Sequence, residues 1–312
     1  MRYKQQNQKS PKSTFKGLFT RGNMYGNCFG SKSPLYAFTN EEPSAYMSDF
    51  DFKGKSVLAS IGSGDFILNA YLSGANEIDG FDVNLYTKYY YLLKKAIIKS
   101  YDYEKASQFI KNPTLIYEKF NEYSINLDEE TKFFIQDFFN KYGKCADVLA
   151  KKLFFECIVG ENCDEWTDFK DYNELFNYAQ YRNLYLSNEK LYNDLKQKLN
   201  DVPKENFYIR NISKLKINKQ YDIIYLSNIC DHMLTERAKK LLNYLMKNNL
   251  KENGEIIYIN IDKRKELNAG IGSRSIFDAK SAKVHPHLLR QTLHTFRKDT
   301  NRSFENIANK TI

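Results

Sequence analysis

The stretch Ser56-Val57-Leu58-Ala59-Ser60-Ile61-Gly62-Ser63-Gly64-Asp65 decides the fold. Its short apolar run predicts a strand, the paired glycines predict a tight turn, and Phe66 to Ser73 continues at helical spacing. Glu77-Ile78-Asp79-Gly80-Phe81-Asp82 then reads as a second strand closed by an acid. Tyr86 to Lys99 follows as a helix with Tyr90, Leu93 and Ile97 on one side. This β-α-β-α order predicts an α/β protein with a doubly wound, mostly parallel sheet.

From Ser100 to Glu205 the periodicity is helical over Tyr103–Ile110, Glu129–Tyr142, Ala146–Glu156 and Asn188–Leu199. So long a stretch is no ordinary connection, and it predicts a large helical insertion between strands 2 and 3. Strands resume at Asn206–Arg210, Tyr221–Ser227 and Glu255–Ile261, with a helix over Leu234–Met246 and a turn at Asn253-Gly254. Beyond Lys263 a helix is expected near His287 to Phe296, and no final hairpin is visible, so the sheet is expected to lack its last strands. The organisation expected is a flexible basic arm over 1–33, a Rossmann-like domain over 34–99 and 206–312, and an insertion over 100–205 that would cover a substrate.

The chain carries 47 basic and 38 acidic residues, a net charge of +9, and is 42% hydrophobic, which suits a folded globular protein. The excess charge favours an anionic partner, nucleic acid or lipid headgroups, although its spread along the chain also serves plain solubility. Cys28, Cys145, Cys157, Cys163 and Cys230 form no C-x-x-C pair, an odd set that argues for a reducing compartment. Met1 to Lys16 has no apolar core of a signal peptide, and no run approaches the roughly 18 apolar residues of a spanning helix. A cytoplasmic protein is therefore expected, with any membrane contact peripheral. Oligomeric state is not legible. His285-Pro286-His287 has no third ligand at motif spacing, so no metal is expected.

In an open α/β sheet the ligand binds outside the carboxyl ends of the strands, where strand order reverses. Gly62 and Gly64, with Ser63 between them, would let backbone approach a ligand, and Asp65 would cap the next helix or accept from an amino group. Asp82, followed by Val83 and Asn84, stands where a carboxylate accepts from both ribose hydroxyls of an adenosine cofactor, unless it merely caps a helix. A diphosphate-binding turn would need glycine at position 67, which is Ile67. The missing glycine favours S-adenosylmethionine over a dinucleotide. Asn211 and Ile212 follow the third strand, where adenine would lie, and Asn211 would bond its edge or serve as a simple turn residue. The polar stretch Leu226-Ser227-Asn228-Ile229-Cys230-Asp231-His232-Met233 follows the fourth strand and faces the same crevice.

These residues resemble the S-adenosylmethionine:diacylglycerol 3-amino-3-carboxypropyltransferases of betaine-lipid synthesis. The resemblance lies in Leu35-Tyr36 with Glu41-Glu42-Pro43, in Ser60–Asp65, in Phe81-Asp82-Val83-Asn84 and in Leu226–Met233, and covers patches of Leu35 to Lys263. Asn228 stands where that family's pattern has an acid, and His232 where it often has an aromatic. The resemblance implies S-adenosylmethionine as co-substrate, transfer of its aminocarboxypropyl group to a hydroxyl, and closure of Tyr36 and Glu42 over the cofactor.

An alcohol acceptor needs a base, and Asp231 and His232 are the candidates, each with a blander reading as a helix cap or a packing residue. Arg182 would hold a substrate carboxylate or phosphate, or lie on a solvated helix face. Three functions remain open: an aminocarboxypropyl transferase on a lipid or other hydroxyl, a methyltransferase on a small molecule or nucleic acid, and a non-catalytic cofactor-binding protein.

Overall fold

Side chains alternate along β1 (Ser56–Ser60) in a way that sorts the molecule into layers: Val57 and Ala59 face one apolar core and Leu58 the other. The computed structural model describes residues 38–142, 172–203, 205–260, 274–276 and 291–298. Six further strands complete the sheet: β2 (Glu77–Asp82), β3 (Phe207–Ile209), β4 (Tyr221–Tyr225), β5 (Leu250–Asn260), β6 (Arg274–Ile276) and β7 (Gln291–Arg297). Their order is β3-β2-β1-β4-β5-β7-β6. The first five run parallel, β7 runs antiparallel to β5, and β6 antiparallel to β7. Strand order reverses between β1 and β4, which opens a crevice at their carboxyl ends.

Helix α1 (Pro43–Tyr46) precedes β1, while α2 (Asp65–Leu72) and α3 (Leu85–Ser100) follow β1 and β2. The insertion supplies α4 (Tyr103–Lys111), α5 (Leu115–Glu118), α6 (Phe120–Tyr123), α7 (Glu129–Tyr142), α8 (Tyr172–Arg182), α9 (Leu184–Ser187) and α10 (Glu189–Asp201). Helix α11 (Thr235–Asn248) joins β4 to β5. Asp102 and Asn188 start α4 and α10 by accepting from Lys105 N at 2.8 Å and Leu191 N at 2.9 Å, caps worth about 1 kcal/mol each.

One core joins Val57, Ala59, Ile223, Tyr225, Ile257 and Ile259 to α2, α3 and the inserted helices; the other joins Leu58, Ile224, Ile256 and Tyr258 to α11. Both faces are covered, and that is why β4 reads as a near-continuous apolar run. The inserted helices share the first core, with Phe109, Tyr123, Leu175, Tyr192 and Leu195 in the same cluster as Tyr71 and Tyr91.

Two expectations are corrected. The helix expected near His287 to Phe296 is instead β7 over Gln291–Arg297, and with β6 it supplies the last strands the sheet was expected to lack. Leu289, Leu293 and Phe296 stand four and three residues apart and imitate a helical face. The sheet overrides that pattern by taking Leu293 into one core and Phe296 into the other. Asn253-Gly254 does not precede the strand but falls within β5, where the register against β4 shifts between Tyr221 and Ile223. Asn253 sits at φ 62°, and a side chain on Gly254 would strike the Asp222 carbonyl.

Candidate functional site

Gly62 and Gly64 both take left-handed backbone, at φ 49° and 81°, but for different reasons. A Cβ on Gly64 would lie 2.6 Å from the Tyr91 ring, whereas one on Gly62 would meet nothing within 4 Å. Gly64 therefore lets α3 close on the turn, and Gly62 opens onto free space. The Gly62 amide donates to Asp82 Oδ2 at 3.1 Å and the Asn84 amide to Asp82 Oδ1 at 2.9 Å. Burial pushes the Asp82 carboxyl above the ordinary range, and those amides oppose the shift. Val83 beside it is half-buried. The Asn84 side chain accepts from Tyr86 N at 3.0 Å, which makes it the cap of α3.

Asp65 is fully buried and organises the site from behind. Its Oδ1 accepts from Lys94 Nζ at 2.7 Å and the Tyr185 hydroxyl at 2.8 Å; its Oδ2 accepts from Thr39 N at 2.6 Å and the Ser63 hydroxyl at 2.9 Å. Four donors from four segments occupy the carboxylate that was expected to cap a helix or meet a ligand's amino group. Burial pulls the Lys94 ammonium below its usual range, with Asp65 opposing. Asn69 on α2 extends the network, donating to Asn183 Oδ1 at 2.9 Å.

After β3, Asn211 is exposed and its Oδ1 accepts from Ser213 N at 2.9 Å, the turn role also foreseen for it, while Ile212 is buried in the second core.

After β4 the chain turns sharply at Ser227, a non-glycine residue at φ 52°, and the Ser227 hydroxyl donates to Glu41. Asn228 is half-buried and opens a 3-10 turn, Ile229–His232. Within that turn Asp231 is buried and accepts from the Tyr258 hydroxyl of β5. Burial, and then the Asp231 charge, push the Cys230 thiol up to about 12, which leaves it unreactive. His232 ends the turn, and its side chain lies outside the described residues, as do Tyr36, His285, His287 and the other four cysteines.

Glu41 is the residue that sequence reading passed over in favour of its neighbour. It is 1% exposed, and its Oε2 finds no hydrogen-bond donor among the described residues. Burial pushes its carboxyl up to about 7; the Ser227 hydrogen bond opposes, the Asp231 charge adds, and Tyr46 and Arg182 pull down. Glu42 is also buried, at the start of α1. Arg182 is not on a solvated face: it is fully buried, donates to the Asn40 carbonyl at 2.8 Å and lies 4.5 Å over the Tyr178 ring. It ties the insertion to the segment ahead of β1, as Ser44 does by donating to the Tyr181 carbonyl at 3.0 Å.

The structure thus gathers Glu41, Ser227, Asp231 and Arg182 at one end of the sheet, with Gly62 and Asp82 at the ends of the neighbouring strands.

No protein-family model and no curated protein matches the chain. Among solved structures, the rRNA methyltransferase AviRa from Streptomyces viridochromogenes is similar over 79% of this chain and 78% of its own, at 7% identity and a TM-score of 0.38. Magnesium protoporphyrin IX methyltransferase (ChlM) from Synechocystis PCC 6803, solved with S-adenosylmethionine, is similar over 81% and 74%, at 11% identity and a TM-score of 0.35. The N-methyltransferase NodS from Bradyrhizobium japonicum WM9, solved with S-adenosylhomocysteine, matches 35% of this chain and 62% of its own length, at 9% identity and a TM-score of 0.26. The doubly wound, Rossmann-like α/β fold of this chain rests on its own strand order and register.

Proposed function

We propose that this chain is an S-adenosylmethionine-dependent transferase that moves the 3-amino-3-carboxypropyl group to a hydroxyl acceptor such as diacylglycerol. The observation that carries the reading is the Asp82 carboxylate, held by the Gly62 and Asn84 amides at the end of β2 beside the open space at Gly62. A carboxylate fixed at that point keeps lone pairs for two ribose hydroxyls of an adenosine cofactor. Ile67 is buried in the core where a diphosphate-binding turn would need glycine, which suits a cofactor without a diphosphate. The residues present therefore fit S-adenosylmethionine, with Gly62 and Asp82 holding its nucleoside.

Bound there, S-adenosylmethionine would supply a sulfonium leaving group, so that forming the acceptor's O–C bond breaks the C–S bond and leaves methylthioadenosine. Among the described residues, Glu41 is the group best suited to take the acceptor's proton: it stands at the end of the sheet on the Ser227 hydroxyl, and a carboxylate balanced near pH 7 is both ionised and basic enough to be useful. It joins Asp231 and His232 as a candidate base. The Ser227 hydroxyl positions Glu41, and that hydrogen bond and the Arg182 charge temper its basicity.

The choice of the aminocarboxypropyl group over the methyl group rests on the resemblance of Leu226–Met233 and Glu41-Glu42-Pro43, since the fold alone serves methyl transfer as well. A lipid acceptor would be met at an anionic surface, which the +9 charge favours. Among the described residues no helix is long and apolar enough to cross a membrane. The test is to incubate the protein with lipid vesicles and S-adenosylmethionine labelled either in its methyl group or in its aminocarboxypropyl chain. Transfer of the chain label alone to lipid supports the proposal; transfer of the methyl label makes the chain a methyltransferase. Asp82→Ala should abolish both transfer and cofactor binding.

A further inference from the structure

Between Arg210 and Lys251 the chain carries nine basic and three acidic residues. All three acids are engaged: Asp222 pairs with Lys251 at 2.8 Å, Glu236 with Lys239 at 3.6 Å, and Asp231 is buried on the Tyr258 hydroxyl. Lys219 is held by Glu77 and Asp79 at 2.7 and 2.8 Å. The other six basic residues, Arg210, Lys214, Lys216, Arg237, Lys240 and Lys247, are exposed and form no ion pair with any described residue. They share one side of the sheet. Ile212 and Leu215 join Ala238, Leu241 and Leu242 in the second core, which sets the segment between β3 and β4 beside α11. Arg237, Lys240, Tyr244 and Lys247 recur at three- and four-residue spacing, so they line the face of α11 turned away from that core.

Two large hydrophobic side chains stand out on the same surface: Leu234, 70% exposed at the start of α11, and Tyr244, 42% exposed. Leu234 closely follows the turn that holds Asp231, and Arg210 follows Ile209, the β3 residue paired with Asp82. This face therefore reaches the rim of the crevice. A surface of unopposed cations calls for an anionic partner. A phosphate backbone would satisfy the cations but leave Leu234 in water. The boundary between headgroups and acyl chains of an anionic bilayer takes both. We propose that α11 and the segment between β3 and β4 form the surface by which the protein docks on an anionic membrane, with Leu234 inserted beside the mouth of the crevice. The choice of a bilayer rests in part on the lipid-acceptor reading above, while the charge of the surface does not.

The test is co-sedimentation of the full chain, without S-adenosylmethionine, with vesicles of phosphatidylcholine alone or of phosphatidylcholine and phosphatidylglycerol. Wild type should sediment with the anionic vesicles only. Lys240→Gln/Lys247→Gln should weaken that binding about 25-fold, since each basic residue near the surface contributes about fivefold. Leu234→Ser should weaken it at least about threefold. Lys105→Gln/Lys190→Gln removes the same charge from exposed positions on α4 and α10 and should stay within about twofold of wild type. No binding of wild type to anionic vesicles, an equal loss in the two double variants, or no loss in Leu234→Ser overturns the proposal. Binding of a short single-stranded RNA in place of vesicles would give the face to a nucleic acid instead. Transfer to a short-chain diacylglycerol in neutral detergent by a protein that ignores vesicles would overturn the surface and leave the transferase reading standing. Vesicle binding without any S-adenosylmethionine binding would sink the transferase reading and leave the surface standing.

Discussion

Ser227, turned into left-handed backbone at the end of β4, donates its hydroxyl to Glu41, 186 residues earlier in the chain. This bond joins the segment ahead of β1 to the strand beside β1, across the crevice where strand order reverses. It also holds down the pKa of a carboxyl that burial drives upward.

Glu41 should therefore mark both activity and stability. As a base it must be ionised, so kcat/KM should rise with pH through about 7, and Glu41→Gln should lose about 10²- to 10⁴-fold and that limb of the profile. For stability the sign follows from a folded value above the unfolded one. The protonated form is favoured in the folded state, so the contribution is full below about 4.5 and is lost as pH rises through about 7. The total swing is on the order of 3 kcal/mol. Relative to wild type, Glu41→Gln should gain melting temperature at pH 8 compared with pH 5; a pH-independent difference would contradict the assignment.

The buried pair of Lys94 and Asp65 should behave as a structural unit. Lys94→Met leaves an uncompensated carboxylate behind the glycine turn, a loss of about 3–5 kcal/mol for breaking one side of such a pair. Chemical denaturation of Lys94→Met, Asp65→Asn and the double variant measures it. The double variant should be markedly less damaged than the two single losses summed, and simple additivity would show that the pair is not coupled.

The two glycines should separate folding from binding. Gly64→Ala puts a methyl group against Tyr91 at φ 81° and should destabilise the protein by more than about 2 kcal/mol. Gly62→Ala meets no protein atom and should cost only the backbone term, about 1–2 kcal/mol. Its methyl group enters the space assigned to the cofactor, so affinity for S-adenosylmethionine should fall more in the folded Gly62→Ala variant than stability does. Thermal melts and calorimetry on the same samples separate the two effects.

The sheet's first half was legible because its signals are local. A glycine turn after an apolar run, and an acid closing the next strand, are set by neighbours in sequence, and Gly62 and Asp82 do meet. The last strands were hidden because Leu293 and Phe296 imitate helical spacing until the sheet takes them to opposite faces. Asp65 was seen but not its role, since Lys94, Tyr185 and Thr39 reach it from three distant segments. Glu41 was passed over because adjacent carboxylates look alike in sequence. Only the fold makes one of them the partner of Ser227.

The most direct test of the central claim is mass spectrometry of the nucleoside formed when the purified protein is incubated with S-adenosylmethionine and diacylglycerol vesicles, against a control without protein. Protein-dependent methylthioadenosine, together with a lipid that has gained the aminocarboxypropyl group, is the result predicted. S-adenosylhomocysteine as the nucleoside product would contradict it.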